Sequence, residues 1–207
     1  MPTSYNSIAG RSLERLAALS DGIFAVAMTL LVLDIHAPAV EAVHNEHDVW
    51  GVLVALAPRL VMFAMSFLTL GIFWIGQQTQ LNHLERSERS LTWIHLAFLA
   101  VVCMVPFSTS FLAEFIRYRG ALAVYWLNII LLGVTLYFSW VCALDLGVVK
   151  SDLPPDVAKA IKSRIFIGQS LYAFGLLLCV FSTYWSIGFM VSVQLYYAVA
   201  PRLPGRK

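Results

Sequence analysis

Charge is scarce in this chain. Of its 207 residues only 13% are Asp, Glu, Lys or Arg, about half the roughly 25% that an average soluble domain carries. That shortage excludes an ordinary solvated surface. Cysteine is scarce too: Cys103, Cys142 and Cys179 all sit inside apolar runs. Their spacing excludes a disulfide framework and a thiolate metal site, and buried small apolar side chains are the expected role. A formal net charge of +2 gives no basis for nucleic-acid binding. Short alternating segments are missing, which excludes a membrane β-barrel. The sequence has no nucleophile elbow, Gly-rich phosphate loop, paired-carboxylate motif or HExxH-type spacing among its histidines. No enzyme, cofactor or metal site is therefore expected. Internal repeats and low-complexity tracts are also missing. Met1 to Gly10 is polar, and the first apolar run is a full span without a small-residue cleavage pattern, so no cleavable signal peptide is expected.

What the chain does have is apolar length. Hydrophobic residues make up 59% and mean hydropathy is +0.76. A bilayer-spanning helix needs roughly 20 predominantly apolar residues, and the sequence holds several such runs. The expected fold class is all-α integral membrane, a single six-helix transmembrane domain over residues 1–207. The six helices fall at about 13–36, 50–79, 90–115, 120–146, 160–181 and 184–200. The second is expected to be interrupted at Pro58-Arg59, because proline removes a ladder hydrogen bond. Trp50, Trp93, Tyr125, Trp126, Trp185, Tyr196 and Tyr197 lie near helix ends and read as interfacial belts.

Lysine and arginine set the expected orientation. With six spans both termini share a side. That side carries Arg11, Arg15, Arg86, Arg89, Lys150, Lys159, Lys162, Arg164, Arg202, Arg206 and Lys207. Only Arg59, Arg117 and Arg119 remain for the other. Both termini are therefore expected in the cytoplasm of a cell whose plasma membrane holds the protein. The acidic loop Glu41 to Asp48, with His44 and His47, would lie outside.

The first helix carries the chemistry. Arg15, Ser20 and Asp21 sit at the mouth of an otherwise apolar span, and ionisable groups at membrane depth are by default functional candidates. Their alternative role is local: a carboxylate near a helix start complements the dipole, and an arginine there can snorkel. Along the same helix Arg15, Leu19, Gly22, Val26, Thr29, Leu33 and His36 recur at alternating intervals of four and three. That is a heptad seam. It fits copies of the helix gathered around an axis, with apolar constrictions and one ring of hydroxyls. It equally fits packing inside one subunit. Asp34 and His36 stand at the far end, either above such an axis or as a solvated terminus. Arg59 is expected to snorkel, Glu114 to pair with Arg117, and Asp145 to meet Lys150.

Arg15-Leu-Ala-Ala-Leu19-Ser20-Asp21 resembles the Arg-x-x-x-Phe-Ser-Asp signature of the lysosomal potassium channel family, also called the transmembrane protein 175 family. Leu19 replaces the phenylalanine. The run Gly22 to Asp34 is also similar to prokaryotic members, as are Phe73-Trp74, Asn82 and Pro106-Phe107-Ser108-Thr109. Gln77 departs from the pattern, since a histidine is expected three residues after the tryptophan. The resemblance implies a prokaryotic, potassium-selective channel that assembles as a homotetramer of six-helix subunits. Its first helix lines the pore, and it has no Thr-Val-Gly-Tyr-Gly filter; none occurs here. By offset from Asp21 the constricting layers fall on Val26, Thr29 and Leu33, with Leu30 and Ile23 as neighbours. Arg15, Ser20, Asp21, Trp74 and Asn82 would form the supporting network. The competing expectation is a small proton-coupled secondary transporter that switches through Asp21 and Arg15. A third is a membrane scaffold without transport.

Overall fold

A computed structural model describes residues 12–36 and 45–199. Met1 to Gly10, Arg11, Glu41, His44, Arg202, Arg206 and Lys207, named above, lie outside the described residues. The chain is helical throughout this range. Helix α1 spans Leu13–Leu30 and tightens into a 3₁₀ turn, Leu31–Asp34. Helix α2 is Glu46–Asn82, α3 Arg89–Cys103, α4 Val105–Glu114, α5 Arg119–Asp145, α6 Pro155–Leu177 and α7 Thr183–Val199.

Local chemistry explains the helix ends. Ser12 caps α1 by accepting from the Arg15 amide, with Glu14 in the first turn. Asn45 caps α2 through the Asp48 amide, with Glu46 and Asp48 following. Both place acceptors and carboxylates where unpaired amides and the positive dipole end want them. Helix α5 closes on Gly147, whose φ of +61° is the left-handed conformation that glycine adopts freely. The Val148 amide reaches Ala143 O and the Gly147 amide reaches Leu144 O, the paired bonds of a Schellman ending. Pro155 starts α6, where its missing N–H leaves nothing unpaired.

Two prolines behave differently from one another. The interruption expected at Pro58-Arg59 does not occur: α2 runs through Pro58 for 37 residues. A single missing ladder bond is tolerated when the turns on both sides persist. The third span, expected as one helix, is instead broken at Met104 into α3 and α4. Pro106 cannot donate to the carbonyl one turn earlier, and it disfavours helical geometry in the residue before it.

Among the described residues five segments are long and apolar enough to cross a bilayer: Leu13–Asp34, Glu46–Asn82, Arg89–Glu114, Arg119–Asp145 and Pro155–Val180. Helix α7 has 17 residues, at the short limit for a span. The core is one apolar cluster running through the bundle. At its centre Phe98 stands between Phe24 and Phe73, with ring centroids 5.9 and 6.5 Å away. A second cluster closes one end, with Trp140 against Leu16, Leu81, Leu84 and Leu91. At that end Glu85 N donates to Val148 O at 2.9 Å and Lys150 N to His83 O at 3.0 Å, which ties two interhelical links together. Helices α5 and α6 approach closely at Gly133, where an added Cβ would overlap the Gln169 side chain. Small residues permit that approach in membrane bundles.

Within the core, polar side chains bridge helices. Tyr125 of α5 meets Ser66 and Thr69 of α2 at 3.2 and 3.1 Å. Thr109 of α4 donates to Ser66 at 2.7 Å, and Gln194 of α7 donates to Thr69 at 2.7 Å. All five are buried, so each bond replaces one that lipid cannot supply.

Candidate functional site

Helix α1 has two unlike faces. Leu16, Ser20, Phe24, Ala27 and Leu31 are buried against the rest of the chain. Every member of the heptad seam, from Arg15 to His36, is exposed. Val26 is 57% and Leu33 64% exposed. The seam therefore does not pack inside its own subunit, because the subunit's core uses the opposite side of the helix. Leu30 is exposed beside the seam, whereas Ile23 is half-buried and packs on the core. Next to the seam runs an open apolar groove of about 400 Å³, lined by Ala18, Leu19, Gly22, Val26, Leu30 and Cys103.

Thr29 is the one hydroxyl on the seam. Its Oγ1 lies 3.0 Å from Ala25 O and 2.9 Å from Val26 O. The single hydroxyl proton is thus spent on the backbone, and the oxygen lone pairs remain for whatever faces the helix.

Helix α1 is fastened at two levels, at mid-helix and at its C-terminal turn. At the first of these, Trp74 Nε1 donates to Asp21 Oδ1 at 2.8 Å and Gln78 Nε2 donates to the same oxygen at 2.7 Å. One residue earlier on each helix, on the buried side, Gln77 Nε2 donates to Ser20 Oγ at 2.7 Å, and Ser20 Oγ donates to Leu16 O at 2.9 Å. Ser20 and Gln77 are wholly buried. Bonds to an ionised acceptor are the stronger kind, so the Asp21 carboxylate anchors the pair. The glutamine at position 77, where the resemblance led to a histidine, still reaches Ser20.

At the second level Arg59 joins three helices. Its Nη1 donates to Asp34 O at 3.0 Å and lies 4.0 Å from Asp34 Oδ1. Its Nη2 donates to Glu114 Oε2 at 2.8 Å. Ser110 Oγ donates to Asp34 Oδ1 at 2.7 Å. The Arg59 guanidinium is held by α1 and α4, and Glu114 pairs with it rather than with Arg117. A fixed guanidinium fork can hold a carboxylate and a helix-terminal carbonyl at once, which a mobile surface pair does not require.

Of the network expected from sequence, Ser20, Asp21 and Trp74 come together. The Arg15 side chain is exposed, with no bond among the described residues; its backbone amide meets Ser12. Asn82 contributes only its carbonyl, which accepts from Lys150 Nζ at 2.8 Å; Lys150 therefore serves Asn82 rather than Asp145. Gln78, Ser110, Arg59 and Glu114 complete the two fastenings. The polar run Gln77-Gln78-Thr79-Gln80 was the available signal for Gln78, though it looks like a solvated helix end. No His, Cys, Asp or Glu group suited to a metal ion exists among the described residues.

These features define a multi-pass helical membrane protein whose first helix is fastened at two levels and bare along one apolar seam. Residues 15–106 match the family model described as endosomal/lysosomal potassium channel TMEM175. A potassium channel of Streptomyces collinus is 35% identical over 130 residues, which cover 61% of this chain and 62% of that protein. A potassium channel of Chamaesiphon minutus is 29% identical over 191 residues, covering 89% and 93%. The human endosomal/lysosomal proton channel TMEM175 is 30% identical over 111 residues, 51% of this chain and 22% of that protein. The crystal structure of a lysosomal potassium-selective channel TMEM175 homologue from Chamaesiphon minutus superposes with a TM-score of 0.77 at 27% identity. It covers 91% of this chain and 97% of the other. The likeness to the TMEM175 family model is carried by residues 15–106, and the likeness in fold to the solved TMEM175 homologue extends over nearly the whole chain.

Proposed function

We propose that this protein is a potassium-permeable cation channel of the plasma membrane. It is a homotetramer with both termini cytoplasmic, and α1 of each subunit lines a central axis. The observation that carries this is the two-faced α1: a heptad seam left bare by its own subunit, on a helix held rigidly from behind. A seam of that period is what parallel copies around an axis require. The names of the bacterial relatives support potassium as the ion.

Val26 and Leu33 then form apolar constrictions, and a narrow greasy pore gates by dewetting. Thr29 lies between them. With its proton held by the backbone, its oxygen offers only lone pairs, which suits a cation that has shed part of its water. Leu30 and Ile23 flank the layers. No carbonyl filter is needed: the cost of removing water selects the more weakly hydrated ion, and the Thr29 ring partly offsets it. Arg15 stands at the cytoplasmic mouth, while Ser20, Asp21 and Trp74 fix the angle of the pore helix.

Purified protein in liposomes, given a potassium gradient and then a sodium gradient, tests this. Fast conductive flux that favours potassium is the expected result, with Thr29→Val reducing the preference. Slow flux tied to a proton gradient replaces the channel with a transporter. An unaltered permeability ratio in Thr29→Val removes the hydroxyl layer.

A further inference from the structure

The break between α3 and α4 leaves a gap beside α5. Ala100 of α3, Met104 at the break, Phe107 and Ser108 of α4, and Leu127 and Asn128 of α5 line an open pocket of about 300 Å³ there. Met104, Phe107 and Leu127 are each more than half exposed, so the pocket opens on the apolar outer surface of the bundle. Asn128 differs from them: it is 7% exposed, and its neighbour Ser108 is buried. Asn128 Nδ2 donates to Ser108 Oγ at 2.9 Å, and Ser108 Oγ donates to Val105 O at 3.1 Å. The serine's one proton is thus used. It can only accept from Asn128, which fixes the way the amide is turned. Asn128 Oδ1 is left without a partner among the described residues.

Depth decides what can pair with that oxygen. Asn128 follows Arg119, the first residue of α5, by nine positions. That is about 14 Å along the axis, near the middle of roughly 30 Å of hydrocarbon. An unpaired buried acceptor is costly, and the bilayer core has no water to relieve it. An ordered water is held by two to four polar partners, whereas the rest of this wall is apolar. A charged headgroup is excluded at that level by its own desolvation. What fits is a molecule that enters from the bilayer, carries its own O–H and is otherwise hydrocarbon. We propose that the pocket is a binding site for an uncharged amphiphile of the aliphatic alcohol class. Its hydroxyl donates to Asn128 Oδ1, and its chain covers Ala100, Met104, Phe107 and Leu127. An apolar cavity of roughly 150 Å³ takes a benzene ring, and this pocket has about twice that room. The site is independent of what α1 conducts.

Labelling from within the membrane tests the site. The full chain in liposomes is irradiated with octanol that carries a diazirine, and separately with the matching diazirine-bearing octane, at equal membrane concentration. Modified peptides are mapped by mass spectrometry. The alcohol should mark the chain around Met104 and Leu127 saturably, about five-fold more than the alkane, the gain from one hydrogen bond. Plain octanol should compete that mark away. Ala100→Trp fills the pocket from an exposed position and leaves the Asn128–Ser108 bond in place. It should remove the marking by both probes. Asn128→Leu should level the alcohol with the alkane.

Equal marking of the wild type by alcohol and alkane gives the amide oxygen to a water and overturns the proposal. Marks that never saturate, or that persist in Ala100→Trp, describe bulk lipid against the helices and overturn it as well. A region that neither probe reaches is covered by a second copy of the chain, and the alcohol site is then discarded. The wild-type comparison and Ala100→Trp decide the outcome even where Asn128→Leu does not fold.

Discussion

The two faces of α1 are built from similar residues and face opposite surroundings. Phe24, Ala27 and Leu31 are apolar and enclosed; Val26, Leu30 and Leu33 are apolar and bare. Hydrophobicity alone does not distinguish them. What does is the set of polar partners behind the enclosed face, where Ser20 is hydrogen-bonded to Gln77 and Asp21 to Trp74 and Gln78. In lipid, apolar burial does not choose between a neighbouring helix and an acyl chain. Directional bonds and close packing do the choosing, and the leftover face is free for another copy of the chain.

Substitutions can break that contrast, and the largest effect should fall on the enclosed face. Phe24 is 2% exposed and touches Phe98. Phe24→Ala should lower stability by about 3 kcal/mol through lost contacts and a cavity, seen as an earlier thermal unfolding in detergent. An unchanged transition would mean that the enclosed face is not core.

Ser20→Ala should cost about 1–3 kcal/mol, because the buried Gln77 amide loses the acceptor for its N–H group. Its Oε1 already has no partner among the described residues. The pair Ser20→Ala with Gln77→Leu should recover most of that loss, since no buried polar group is left stranded. Failure to recover would show that position 77 matters beyond its bond to Ser20.

The smallest change in stability belongs to the bare face. Val26→Ala and Leu33→Ala should each stay within about 0.5 kcal/mol of the wild type. Their effect should appear in flux instead, as higher current and weaker preference for potassium. Unaltered flux and selectivity in both variants would overturn the proposed pore along this seam.

Much of this was readable before any coordinates. The heptad seam is a matter of counting, and composition fixes the membrane class. Ser20, Asp21 and Trp74 come from a motif whose members lie within one turn or at a helix end. Three things were not readable. The enclosed and bare stripes of α1 are both apolar, so the sequence left open which was core. Arg59 comes from α2 and Ser110 and Glu114 from α4, with bonded partners 25 to 76 residues apart in the chain, and each residue alone has an ordinary solvated explanation. Pro58 and Pro106 carry the same local warning, yet only the second coincides with a break. The persistence of α2 depends on its neighbours rather than on its own residues.

The length of α2 has a mechanical consequence. Its 37 residues make a rod of about 55 Å, far longer than the roughly 30 Å of hydrocarbon it crosses. Arg59 and Gln77 are 18 positions apart, or about 27 Å along the rod. The two points where α1 is lashed to it are therefore separated by nearly the thickness of the membrane itself. Fastened so, the pair tilts as a single spar. A thinner bilayer that lays α2 over must swing α1 with it, so the tilt of the pair becomes a gauge of the lipid around it.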